Sequence, residues 1–147
     1  MRQYNFLTFL FATIIWGTSS AQIFINESFN DSNFTSLPQW QGDTADFLVN
    51  TNKQLQTKAN AIAATKTMVI RSRIIDSASW EFYLDLNFDP SSSNFARVYL
   101  SANKANLDTS LNGYFVQIGG QSGTVDEVSL YRQNGTSTIK IIDGANS

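Results

Sequence analysis

Apolar and polar side chains alternate along most of this chain. Residues 80–88 (WEFYLDLNF) show the pattern best: Trp80, Phe82, Leu84, Leu86 and Phe88 fall at every second position, with Glu81, Tyr83, Asp85 and Asn87 between them. A period of two predicts a strand with one buried face. The same reading applies to 95–101 (FARVYLS), 113–119 (GYFVQIG) and 125–132 (VDEVSLYR). It assigns Ala96, Val98, Leu100, Tyr114, Val116, Ile118, Val128 and Leu130 to the core side. If the four strands form a meander, one outer surface carries Tyr83, Asp85, Arg97, Tyr99, Phe115, Gln117, Ser129 and Tyr131.

Shorter β-branched and aromatic runs fill the rest of the chain: 23–29 (IFINESF), 46–50 (DFLVN), 53–57 (KQLQT), 67–74 (TMVIRSRI) and 138–142 (TIKII). Between them stand turn formers, among them DPSSSN at 89–94 and QNGTS at 133–137, where Asn-Gly supplies the positive φ of a tight hairpin. Only 58–66 (KANAIAATK) has helical composition, and at that length it predicts a loop with one helical turn. Eight or nine short strands at this spacing predict an all-β fold, an antiparallel β-sandwich of jelly-roll type.

The N-terminus departs from this pattern. Arg2 precedes an apolar run over 6–16, and Ser19, Ser20 and Ala21 follow. A charged start, a short apolar middle and small residues predict a signal peptide over 1–21, cleaved after Ala21. The run is too short for a membrane span. Residues 22–147 then form one exported module, secreted or held at the cell surface. The full chain has a formal charge of −2 and scattered basic residues, so no patch suits nucleic acid. With no cysteine in an exported protein there is no disulfide framework, and stability must come from apolar burial.

The chain also has no histidine, which removes Ser-His-Asp and Cys-His machinery and the usual zinc ligands. Carboxylates remain. Glycoside hydrolysis needs two of them about 5–9.5 Å apart. Glu81 and Asp85 are four residues apart on one strand, a separation near 13 Å. Asp126 and Glu127 point to opposite faces. No cofactor is expected except a calcium ion, for which Glu27, Asp31 and Asp143 are candidates if the first and last strands meet; solvated loop acids are the alternative. Asn26, Asn30, Asn33 and Asn134 each begin an N-glycan acceptor triplet, a match that arises readily in an Asn/Ser/Thr-rich chain.

The outer surface of the meander has two readings. Rings beside Arg97, Asp85 and Gln117 suit a sugar, which stacks its ring and uses its hydroxyls. Equally, Tyr and Phe stabilise solvent-side sheet faces by cross-strand pairing, and Arg97 can pair with Asp85.

Several stretches together, ESFNDSNFTSLPQWQGDTADFLVN, WEFYLDLNFDPSSSNFARVYLS, LNGYFVQIGG and EVSLYRQNGTSTIKIIDG, resemble the N-terminal module of large secreted surface proteins of Bacteroidota-type bacteria. The resemblance covers nearly all of 24–144. It implies a concanavalin A-like, laminin G-like jelly roll, followed in such proteins by lamin-tail-like domains and a type IX secretion sorting domain. It also implies that the module runs several strands past Gly144, so that this chain lacks closing strands. Glucanases of that fold carry a Glu-x-Asp strand motif, and Tyr83 stands where its second carboxylate belongs. The expected function is therefore a non-catalytic recognition module for glycans or cell-surface material. The alternatives are a structural spacer and, last, a glycan-cleaving enzyme.

Overall fold

The computed structural model describes residues 25–58, 64–72, 78–120 and 127–144. The expected signal peptide, residues 1–21, lies outside the described residues, as does the centre of the 58–66 loop. Eight strands are described: β1 (Trp40–Gly42), β2 (Phe47–Val49), β3 (Leu55–Thr57), β4 (Met68–Ile70), β5 (Phe95–Ala102), β6 (Leu111–Gly119), β7 (Val128–Gly135) and β8 (Ser137–Ile142). Every pairing is antiparallel. The fold class is all-β, with the antiparallel sheets of a sandwich. Among the described residues no helix is long and apolar enough to cross a membrane.

β5–β8 form one four-stranded meander in chain order. The β7–β8 turn closes at the Asn134–Ser137 pair, and of the Asn-Gly dipeptide only Gly135 takes a positive φ, +66°. That makes the turn Gly-first, with the glycine of the Asn-Gly pair supplying the positive φ. β2 and β3 make a small hairpin inside the β1–β4 pair. Asn50 organises its turn, its Oδ1 accepting from the backbone N–H of Asn52 and Gln54. Around it, the Asp43 carboxylate accepts from the Thr67 N–H at 2.8 Å, and Lys66 pairs with Asp46 at 2.7 Å.

Four expectations need correction. Residues 80–88, the best strand by pattern, form no ladder, and Trp80, Phe82, Leu84 and Phe88 are 39–47% exposed. The DPSSSN turn does form, through paired backbone hydrogen bonds between Ser91 and Asn94. Pro90, just before it, packs against Gly119 so closely that a Cβ there would lie 2.3 Å from the proline. The turn therefore anchors the preceding segment at the end of β6 and not alongside β5. Secondly, the described part of 23–29 is irregular, and thirdly, within the described part of 67–74, residues 67–72, only Met68–Ile70 is a strand.

The fourth correction concerns the core. The pattern puts Val98, Leu100, Val116, Ile118 and Leu130 inside, yet these are only half-buried, and Val128 is 47% exposed. The deeply buried residues of the large sheet lie on its other face: Leu111 and Phe115 at 2% and 0% exposure, with Gln117, Ser129 and Gln133 beside them. Alternation sorts side chains onto two faces but does not say which face is covered. Here long side chains on one face lie over one another and exclude water. The aliphatic face, whose short side chains need a second layer, is covered less completely.

Candidate functional site

Register builds the buried face of the sheet in rows. Arg97 pairs with Gln117 and Gln117 with Ser129; one row along, Tyr99 pairs with Phe115, Phe115 with Tyr131 and Tyr131 with Lys140. The meander thus brings five of the proposed ligand residues, Arg97, Tyr99, Phe115, Gln117 and Tyr131, onto one face, as the pattern expects. Tyr83 and Asp85 do not join them by any strand pairing: both lie in the irregular 78–90 segment, and Tyr83 is 81% exposed.

The three rings form a ladder. Tyr99 and Phe115 have centroids 5.0 Å apart at 38°, and Phe115 and Tyr131 are stacked at 5.2 Å and 3°. Aromatic pairs at such spacings contribute about 0.5–1.5 kcal/mol each beyond their area. The Arg97 guanidinium lies 4.8 Å from the Phe115 centroid and 4.9 Å from that of Phe95, within cation–π reach. Phe115 is therefore enclosed by its neighbours on the same face. No ring face of Phe115 is open to a sugar, which corrects its expected role as a stacking platform. Arg97 is exposed, and Tyr99 and Tyr131 are half-buried, so a ligand here meets a guanidinium and the rims of two phenols.

Hydrogen bonds hold these side chains in place. Arg97 Nε donates to Gln117 Oε1 at 2.8 Å, so Gln117 and not Asp85 is its partner, and Gln117 Nε2 donates to the Gly119 carbonyl at 3.1 Å. Tyr99 Oη donates to Gln133 Oε1 at 2.7 Å, and Gln133 Nε2 to the Gly135 carbonyl at 3.0 Å. Burial, the largest influence, raises the Tyr99 phenol above its ordinary value of 10.0, against the nearby Arg97 charge.

Gln133 was missed in the sequence because QNGTS reads as turn. Counting in twos from Ser129 and Tyr131 would have found it.

A second polar cluster ties β8 to the start of β7. Lys140 Nζ lies 2.5 Å from Glu127 and 2.9 Å from Asp143, while Ser129 Oγ donates to Glu127 and accepts from the Gly144 N–H. Hydrogen bonding to Glu127, then to Asp143, raises the Lys140 ammonium far above its ordinary value. Hydrogen bonding and charge from Lys140 lower the Asp143 carboxyl. The Lys140 ammonium thus favours Asp143 as an anion, the opposite of what a general acid requires.

The calcium candidates are not brought together. Glu27 accepts from the Phe29 N–H and Asp31 from the Asn33 N–H, whereas Asp143 binds Lys140. Among the described residues no group of three His, Cys, Asp or Glu side chains is placed to hold a metal. On the aliphatic face a groove of about 460 Å³ is lined by Trp80, Leu100, Ser101, Tyr114 and Leu130. Compared with known proteins, the chain matches no family model, no curated protein and no solved structure.

Proposed function

We propose that this chain is a non-catalytic, jelly-roll recognition module of an exported surface protein. Its contact surface for glycans or other cell-surface material is the Arg97–Tyr99–Tyr131 face. The observation that carries this reading is the fixed geometry of that face: Arg97 is exposed yet held by Gln117 and by two rings. A side chain already immobilised loses little further entropy on binding. Recognition proceeds through the guanidinium and phenol rims, and Gln117 and Phe115 position them. Affinity electrophoresis in gels containing mixed polysaccharides, backed by a glycan array, tests it. Retardation of the wild-type chain that is lost in Arg97→Ala and weakened in Tyr131→Phe supports the reading. Equal mobility of all three in every gel rejects it.

The complete burial of Phe115 favours a second reading, a structural spacer in which the ladder only stiffens the sheet. That reading predicts no retardation at all, together with a large stability loss on truncating the ring. The family resemblance and export by the N-terminal segment belong to the same proposal and rest on the sequence patterns given above.

A further inference from the structure

The hold on Arg97 fixes its direction without cancelling its charge. Gln117, only 7% exposed, accepts from Arg97 Nε at 2.8 Å and donates from Nε2 to the Gly119 carbonyl at 3.1 Å. The backbone makes room for that amide: Gly120 has a φ of +93°, and a Cβ there would overlap Gln117 Nε2. Register sets Gln117 directly across the strand pair from Arg97, the position from which a glutamate would neutralise the guanidinium. A carboxamide of nearly the same shape stands there instead. It orients the cation and leaves the charge uncompensated.

Among the described residues, carboxylates pair with Lys66 and Lys140 and none pairs with Arg97. The rings of Phe95 and Phe115 lie against the guanidinium; they attract a cation but do not neutralise it. Burial is the largest influence on the Tyr99 phenol, and of the two charges that reach it the Arg97 cation outweighs the Asp108 carboxylate. The chain as a whole carries −2, but exposed charges act over only about 8–10 Å at physiological salt. A ligand at this face therefore meets the local cation. Arginine stays charged at any physiological pH, and its planar fork matches the paired oxygens of an oxyanion. With Nε held by Gln117, recognition falls to the terminal Nη groups. We propose that the glycan taken by this face is acidic, a carboxylate or sulfate on the sugar seating end-on against Arg97. The inference rests on the reading of this face as a contact surface and adds the charge of the ligand. Gln117 acts through Arg97, as a positioning residue.

Two matched pairs of polymers in native gels test it: polygalacturonate with its carboxyl-reduced form, and dextran sulfate with dextran. Each variant is scored against its own mobility in a polymer-free gel. The wild-type chain is expected to be retarded at least tenfold more strongly by the acidic member of one or both pairs. That retardation should vanish near 1 M salt, where the screening length falls to about 3 Å. A response confined to polygalacturonate assigns the carboxylate, and one confined to dextran sulfate the sulfate. Arg97→Gln removes the cation from an exposed position and should cut the retardation at least tenfold. Gln117→Glu keeps an acceptor for Nε, neutralises the guanidinium and should do the same, whereas a merely structural Gln117 would leave the retardation of the folded variant unchanged. Equal retardation by the neutral members, lost in Arg97→Gln, overturns the acidic ligand and leaves the contact surface standing. Acidic retardation that persists in Arg97→Gln or in folded Gln117→Glu overturns it as well. So does an absence of retardation in all four gels, the contact surface itself then being decided by the mixed-polysaccharide gels and the glycan array. Should Gln117→Glu unfold, Arg97→Gln and the salt dependence decide.

Discussion

Replacing Phe115 by alanine asks which face of the sheet is covered. The ring is fully enclosed, between Tyr99 at 5.0 Å and Tyr131 at 5.2 Å with Arg97 alongside. A phenylalanine side chain removes roughly 150–250 Å² from water, which at about 25 cal/mol per Å² corresponds to roughly 4–6 kcal/mol. Part of that area is already shielded in the unfolded chain, while two ring pairs are lost as well. The net expectation is the usual range for Phe→Ala in a core, about 3–5 kcal/mol. Val116, the next residue, is half-buried on the opposite face, and Val116→Ala should cost only about 1 kcal/mol. Equilibrium urea unfolding of the two variants and the wild type measures both. Near-UV circular dichroism should also lose intensity in Phe115→Ala as the ladder opens. If Val116→Ala costs more than Phe115→Ala, the deeply covered side is the aliphatic one and the reasoning about the ladder fails.

Tyr99→Phe removes the phenol that satisfies Gln133 Oε1 and should cost about 1–3 kcal/mol, a cost seen in urea unfolding and largely absent when Gln133 is replaced by Leu in the same chain. The phenol itself should titrate above 10.0 in absorbance at 295 nm. Because its folded value is raised, its contribution to stability is full below pH 10.0 and is lost as the pH climbs through the folded value. Gly113→Ala places a Cβ 2.2 Å from the Ser101 carbonyl oxygen, so β5 and β6 must separate locally; amide exchange at Val116 should accelerate at least tenfold. The Lys140 latch should hold between two limits. Lys140 is raised from 10.5, so its support is lost as the pH rises through the folded value; Asp143 is lowered from 3.8, so its support is present above 3.8 and lost on acidification. Slow exchange of the Ile139 amide at neutral pH, relative to the rate at either extreme after correction for intrinsic exchange, checks this. Equal protection in Lys140→Met would count against it.

The sequence by itself determined three neighbouring strands of the large sheet, those at 95–101, 113–119 and 125–132, and the side chains they share on a face; it placed 80–88 in that meander, whereas the fourth strand is β8. Arg97 with Gln117, and Tyr99 with Phe115 and Tyr131, follow from counting in twos along 95–101, 113–119 and 125–132, because side chains in a strand must alternate and adjacent strands joined by short connections pair antiparallel. Which face was covered was a tertiary decision. A phenylalanine between two tyrosines reads as an exterior ring until the strands lie side by side; only then do three rings and a guanidinium close over one another. The same holds for residues 80–88, whose alternation is strand-like. A strand exists only where a neighbour supplies its hydrogen bonds, and the Pro90–Gly119 contact leads this segment to the end of β6. Glu127 and Lys140 lie thirteen positions apart in sequence, and nothing local distinguishes either from a solvated charge. The β7–β8 hairpin joins them, setting the exposed ammonium against the buried carboxylate.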